Sequence, residues 1–312
     1  MNELELIQLL TRSLPANESL VVGAGDDCAV LDLNIPGQLV LFKTDAVVEG
    51  IHFTRTTPAE KIGHKALGRC LSDIAAMAGT PTSALITLAL PCEFKPEFIE
   101  RIYEGINTLA RHHGVAIAGG ETTTNPERLL LSVAVIGTVP RSKCILRSGA
   151  KAEDAVFVSG ELGGSLQGKH LEMEPRLREA RWLADNFSVH SMIDVSDGLA
   201  TDLRHLLRAG VVGAEVLAEA VPISRAARLQ AKTESSTKPP LLAALTDGED
   251  FELLFTLASK DAVRVLDGWK EQFPGVRLSC IGKITAAPGL RIRDKAGVQP
   301  LAAHGYVHFQ KS

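Results

Sequence analysis

The 312-residue chain is about twice a typical domain of roughly 150 residues, so two domains are expected. It is 45% hydrophobic and 22% charged, which is enough apolar mass for packed cores. With 33 basic and 37 acidic residues its formal net charge is −4, so no basic excess exists to hold nucleic acid or an anionic membrane by charge alone.

Cys28, Cys70, Cys92, Cys144 and Cys280 are odd in number and scattered without a CxxC pair. That argues against a disulfide framework or a zinc knuckle. Glu3 and Glu5 stand where a secretory signal would carry Lys or Arg. No apolar run approaches the roughly 18 residues of a membrane span. A cytoplasmic protein is expected.

In chain order, residues 39–44 read as a strand ending at Asp45. Thr57-Pro58-Ala59-Glu60 has the form of a capping box with Pro at the first helical position, and the helix it opens is stopped by Gly79-Thr80-Pro81. Residues 83–90 read as a buried strand. Residues 96–113 form a helix with Phe98, Ile102, Ile106 and Leu109 at helical spacing, closed by Gly114. Strands follow at 115–118 and 129–139, with Gly119-Gly120-Glu121-Thr122-Thr123-Thr124 as a loop between them. The polar, basic stretch 140–151 marks the domain boundary, giving units 1–143 and 144–312. Beyond it, strands are expected at 154–159, 192–195, 251–256, 277–284 and 290–293, helices at 175–186 and 199–207, and a loop at 232–240. The fold class is mixed α+β.

Acidic residues recur beside Gly, Ser or Thr at strand ends: Gly25-Asp26-Asp27, Thr44-Asp45, Gly120-Glu121 and Ser196-Asp197-Gly198. Ser72-Asp73 lies inside a predicted helix instead. There Asp73 falls about 20° from Ile62 on a helical wheel. That is the border of an apolar arc of Ile62, Ala66, Leu67, Cys70 and Ile74. Each acid alone suits an N-cap or Asx turn. Together they show no matching Lys or Arg at the same strand ends. Converging carboxylates at about 4 Å would repel by about 4 kcal/mol at an effective dielectric near 20. A hard divalent cation removes that repulsion, and Mg2+ is the leading inference.

Glycine-rich turns at Gly23-Ala24-Gly25, Gly119-Gly120 and residues 159–165 let backbone N–H groups approach phosphate, although no Walker A loop occurs. Arg147 sits in a basic cluster with Arg141, Lys143 and Lys151, read either as a solvated linker or as a clamp on a substrate phosphate. His52 and Tyr306, each near a glycine, are read as core packing or as walls of a ring pocket.

These segments resemble the thiamine-monophosphate kinase family, of the superfamily that includes aminoimidazole ribonucleotide synthetase and selenophosphate synthetase. The motifs are GAGDDCAVL (23–31), KTDAVVEGIHF (43–53), KALGRCLSDIAAMAGTP (65–81), GGETT (119–123), RSGAK (147–151), SGELGGSLQG (159–168), DVSDGLATDL (194–203), DGEDFELLF (247–255) and GYVHF (305–309). The resemblance implies an N-terminal domain that pairs in a homodimer barrel and a C-terminal α/β sandwich-like domain. It implies ATP beside that interface, with Asp26, Thr44, Gly119, Gly120, Arg147 and Ser196 at the nucleotide. Mg2+ would be held by Asp26, Asp27, Asp45, Asp73, Glu121 and Asp197. Asp197 and Arg147 would serve catalysis, and His52, Glu249 and Tyr306 would line the pocket for the rings of thiamine monophosphate. The γ-phosphoryl of ATP would pass directly, in line, to the substrate phosphate.

Five positions depart from the family pattern. Glu121 stands where Asp is usual, Gly164 where Asp is common and Asp247 where Gly is common. Tyr306 stands where Trp is frequent, and Val307 where Asp is frequent. The alternatives are another ATP-using member of the superfamily acting on a different phosphorylated ring, or a non-catalytic nucleotide-binding relative. A selenophosphate synthetase would carry a reactive Cys near its glycine-rich N-terminus, and none precedes Cys28.

Overall fold

In the first half of the computed structural model, α1 (Glu3–Thr11) precedes β1 (Leu20–Val22), β2 (Ala29–Leu31) and β3 (Gln38–Val48). After them come α2 (Ala59–Ala76), β4 (Thr80–Leu90), α3 (Pro96–His113), β5 (Ala116–Thr124) and β6 (Leu130–Pro140). The structure describes residues 3–233, 238–303 and 305–306, so Val307 and part of the expected 232–240 loop lie outside it. The six strands form one sheet in the order β1-β2-β3-β6-β4-β5. Period-two patterning assigns its faces. In β6, Leu131, Val133, Val135 and Val139 are buried while Ile136 between them is exposed.

The inner face is covered by α2 and α3. Ile62, Ala66, Leu67, Cys70 and Ile74 of α2 are all buried, as the expected apolar arc requires. The two helices cross where both carry glycine. A Cβ on Gly63 would stand 1.9 Å from the Ile102 carbonyl oxygen, and one on Gly105 would stand 1.9 Å from that of Glu60.

Two local expectations need correction. The capping box does not form. Pro58 is itself the N-cap, with no side-chain cap, and the Thr57 hydroxyl accepts from the Thr54 N–H at 3.0 Å instead. Glu60 is taken by Arg101, whose Nε donates to it at 2.7 Å. The expected 119–124 loop is also strand. β5 runs parallel to β4 with Gly120 opposite Ile86 and Glu121 opposite Thr87. Gly120 makes this possible, because a Cβ there would stand 1.7 Å from the Ile86 carbonyl oxygen.

The second half comprises β7 (Asp154–Ser159), α4 (Leu177–Asn186), β8 (Val189–Asp194), α5 (Leu199–Gly210), β9 (Gly213–Leu217), α6 (Arg225–Gln230) and α7 (Pro240–Thr246). It continues with β10 (Leu253–Ala258), α8 (Ala262–Gln272), β11 (Leu278–Thr285), β12 (Gly289–Asp294) and β13 (Gly297–Pro300). Its seven strands are ordered β13-β12-β9-β11-β7-β10-β8. β7 is buried throughout, because the sheet is covered on both faces. One face joins Phe157, Phe255 and Trp269 to the core of the first half, and the other packs Val156, Val158 and Ile193 against Leu203 of α5. The two halves share a core, and their facing surfaces hold the polar residues described next.

Candidate active site

Three carboxylates from different elements converge. Asp27 comes from the turn before β2, Asp73 from α2, and Asp194 from the end of β8. All three are buried, and each offers an oxygen within 4.8 Å of the others'. The Asp27 Oδ1 accepts from Arg147 Nη2 at 2.6 Å. The Asp73 Oδ1 accepts from Lys43 Nζ at 2.9 Å, and the Asp194 Oδ2 from Ser72 Oγ at 2.6 Å. The Asp27 Oδ2 is buried without a hydrogen-bond partner. Burial pushes Asp194 up to about 6 and Asp73 upward against the pull of Lys43. A hard cation would give the orphaned Asp27 oxygen the partner it lacks, and the all-oxygen donor set fits such an ion.

Beside the cluster lies a polar network. Asp45 accepts from Arg69 Nε at 2.9 Å, and Arg69 Nη1 donates to Glu249 Oε1 at 3.1 Å. Lys65, with no exposed side-chain surface, donates from Nζ to Glu249 at 2.7 Å and to the His52 carbonyl at 2.6 Å. The acids, read as having no matching Lys or Arg at the same strand ends, thus gain cationic partners in three dimensions. Lys43 is two residues before Asp45 on β3. Lys65, Arg69 and Asp73 recur every fourth residue on one side of α2, so Lys65 and Arg69 reach the acids from a neighbouring helix.

A cavity of about 110 Å³ opens from this network, lined by His52, Arg69, Ser196, Asp197, Glu249 and Tyr306 among others. The loop that delivers Glu249 is strained: Glu249 has φ 66° and Phe251 φ 52°. The strain is held by main-chain bonds from Glu249 N to Ser196 O at 2.7 Å and from Phe251 N to Val195 O at 2.8 Å. The His52 Nδ1 accepts from the Val48 N–H at 3.1 Å, which puts the ring proton on Nε2. Burial, then Arg69, lowers His52 to about 4, so the ring is neutral at pH 7. A larger hollow of about 640 Å³ lies around Leu90, Phe98 and Leu129, where the acids Glu93 and Glu127 are exposed rather than convergent.

Models of the AIR synthase related protein family match the chain twice, the N-terminal domain at residues 25–139 and the C-terminal domain at 144–295. The thiamine-monophosphate kinase of Rhodopirellula baltica is 41% identical over 309 residues, covering 96% of this chain and 93% of that one. The chain belongs to the thiamine-monophosphate kinase family. The enzyme of that name from Escherichia coli K12 is 34% identical, covering 92% of each chain. Among solved structures, AaThiL complexed with AMPPCP and TMP superposes with TM-score 0.83 at 28% identity, covering 99% of this chain and 97% of that one.

Within this kinase fold, the residues expected from the sequence fall into three groups. Asp27 and Asp73 meet at the carboxylate cluster, and Asp26 adjoins it, its Oδ2 accepting from the Arg147 N–H at 3.1 Å. His52, Glu249, Tyr306, Ser196 and Asp197 meet at the cavity. Thr44, Gly119, Gly120 and Glu121 lie on the first sheet. Thr44 pairs with Ala134, Ala134 with Leu85, and Leu85 with Gly119, forming one row across four strands. Glu121 is exposed two residues further along β5, its Oε1 accepting from the Thr122 N–H at 3.1 Å, and it is not among the converging carboxylates.

Sequence reasoning did not single out Asp194, Lys43, Lys65 or Arg69. The period-four stripe on α2 is the signal that would have found two of them. The departures Gly164 and Asp247 meet in space, where the Gly164 N–H donates to Asp247 Oδ2 at 2.8 Å. The carboxylate this contact uses comes from the loop at 247, not from the glycine-rich turn.

Proposed function

We propose that this chain transfers the γ-phosphoryl group of ATP directly to the phosphate of thiamine monophosphate, giving thiamine diphosphate. The observation that carries this reading is the convergence of Asp27, Asp73 and Asp194 next to the His52–Glu249–Tyr306 cavity. Asp194 and Asp197, three residues apart at the end of β8, join the two. The phosphates occupy the carboxylate side and the rings occupy the cavity. Mg2+ held by Asp27, Asp73 and Asp194, with Asp26, Asp45 and Asp197 nearby, would neutralise phosphate charge.

The acceptor is already an ionised phosphate oxygen, so the chain needs no strong general base. Its task is positioning and charge. Arg147, held beside Asp27, supplies a guanidinium to a phosphate oxygen. Lys65 and Arg69 fix Glu249 at the cavity wall, where neutral His52 stands beside it.

The exposed face of the first sheet supports a homodimer. Phe42, Leu85 and Ile136 are 46%, 50% and 44% exposed, on the same face as Thr44 and Glu121. A second copy covering them would place the Thr44–Gly119 row, and with it ATP, beside the interface.

The test is a panel of phosphorylated ring compounds offered with ATP and Mg2+, read as ADP and diphosphorylated product. Thiamine monophosphate is expected to give the highest kcat/KM. A different preferred acceptor would assign the cavity to another substrate.

A further inference from the structure

A second group of ligating side chains lies outside both the carboxylate cluster and the cavity. His112 and His113 are the last two residues of α3, and Glu174 lies on the approach to α4, in the other half of the chain. The Glu174 Oε1 is 3.4 Å from His112 Nε2 and 3.3 Å from His113 Nε2. The three residues offer ligand atoms all within 4.8 Å of one another. Neighbouring ligands of a tetrahedral zinc ion, with bonds of about 2.0–2.2 Å, stand about 3.3–3.6 Å apart.

The second observation is on His113. Its side chain is only 8% exposed, and its buried Nε2 faces Glu174 Oε1 at 3.3 Å without a well-formed hydrogen bond. A buried imidazole nitrogen with only a poorly aligned partner is costly, and a metal bond satisfies it.

We infer that His112, His113 and Glu174 form a binding site for a divalent cation of the zinc class. Two imidazoles and one carboxylate favour zinc over magnesium, which prefers oxygen ligands and retained water. His112 and Glu174 are 64% and 49% exposed, so the fourth position opens to solvent and the ion exchanges. The C-terminal end of α3 adds a favourable dipole for a cation. The bound ion ties α3 to the segment carrying Arg176, whose guanidinium holds the buried Glu252 at 2.8 and 2.9 Å. The site therefore clamps the two halves of the molecule together.

The experiment adds Co2+, then Zn2+, to the full-length protein in excess Mg2+, the ion that the proposed function assigns to the carboxylate cluster. One equivalent of Co2+ is expected to give the visible absorption of a four-coordinate site. Zn2+ should displace it and raise Tm. His112→Ala and Glu174→Gln, both at exposed side chains, should each weaken zinc binding at least tenfold and abolish the cobalt band, while Asp73→Asn keeps it. The inference is overturned if the wild type gives no band, if His112→Ala and Glu174→Gln bind as the wild type does, or if Asp73→Asn loses the band.

Discussion

Asp73 carries opposing demands. It is 7% exposed, and burial raises its pKa against the pull of Lys43, which donates to it at 2.9 Å. Asp73→Asn keeps the shape but removes one of three converging carboxylates. Phosphoryl transfer is expected to fall by about 100-fold or more, the scale for losing a preorganised electrostatic group. Circular dichroism should stay native, because Lys43 is 23% exposed and can turn to water. Activity equal to wild type across a magnesium titration would remove Asp73 from the site.

Glu252 presents the opposite case. Burial would raise it, but Lys169 and Arg176 outweigh burial and hold it at about 2. A carboxylate depressed from 4.5 stabilises the fold fully above pH 4.5 and loses that contribution as pH falls toward 2. The amount is about 3 kcal/mol. Glu252→Gln should therefore unfold more readily in urea at pH 7 by about 3–5 kcal/mol, the cost of breaking a buried pair. Its stability should also change less than that of the wild type between pH 4.5 and 2. Parallel pH profiles would contradict this. Asp27 and Asp73 were legible as residue types beside Gly, Ser or Thr, whereas Asp194, between Ile193 and Val195, was not. The cationic partners were not legible either, because Lys65 and Arg69 reach Asp45 and Glu249 across element boundaries that linear spacing does not reveal.

At the scale of elements, what was readable followed from periodicity. The apolar arc of α2 and the alternation in β6 both express a face packed on a core. The GGETT segment was misread because glycine pairs signal turns locally. In β5 they instead allow close parallel pairing, with Gly120 against the Ile86 carbonyl. Tertiary contact decided the conformation. The same reasoning applies where α2 and α3 cross. Gly63→Ala would push a methyl into the Ile102 carbonyl, and the helices must separate. A loss of about 1–3 kcal/mol or more is expected, seen as a lower Tm. Gly114→Ala, whose added Cβ would meet no atom within 4 Å but whose φ is 69°, should cost about 1 kcal/mol. Equal effects would argue against the close crossing.

The whole molecule places its chemistry where the two halves share a core, and the carboxylate cluster needs both: Asp27 and Asp73 from the first, Asp194 from the second. This juxtaposition lies beyond linear sequence, although the motifs spanned nearly the full chain. The apolar face of the first sheet tests the proposed dimer. Leu85→Glu puts a charge in the row shared by Thr44 and Gly119. It should convert a dimer to a monomer in sedimentation velocity and weaken ATP binding by about tenfold or more, about 1.4 kcal/mol. An unchanged sedimentation coefficient would place the interface elsewhere. No helix among the described residues is long and apolar enough to cross a membrane.

The most direct measurement is a single turnover with excess enzyme, γ-labelled ATP, Mg2+ and thiamine monophosphate, quenched over time. Direct transfer predicts that label leaves ATP and enters the terminal phosphate of thiamine diphosphate with one rate constant, with no labelled protein in between. Label appearing on the protein before the product, or no labelled thiamine diphosphate at all, would contradict it.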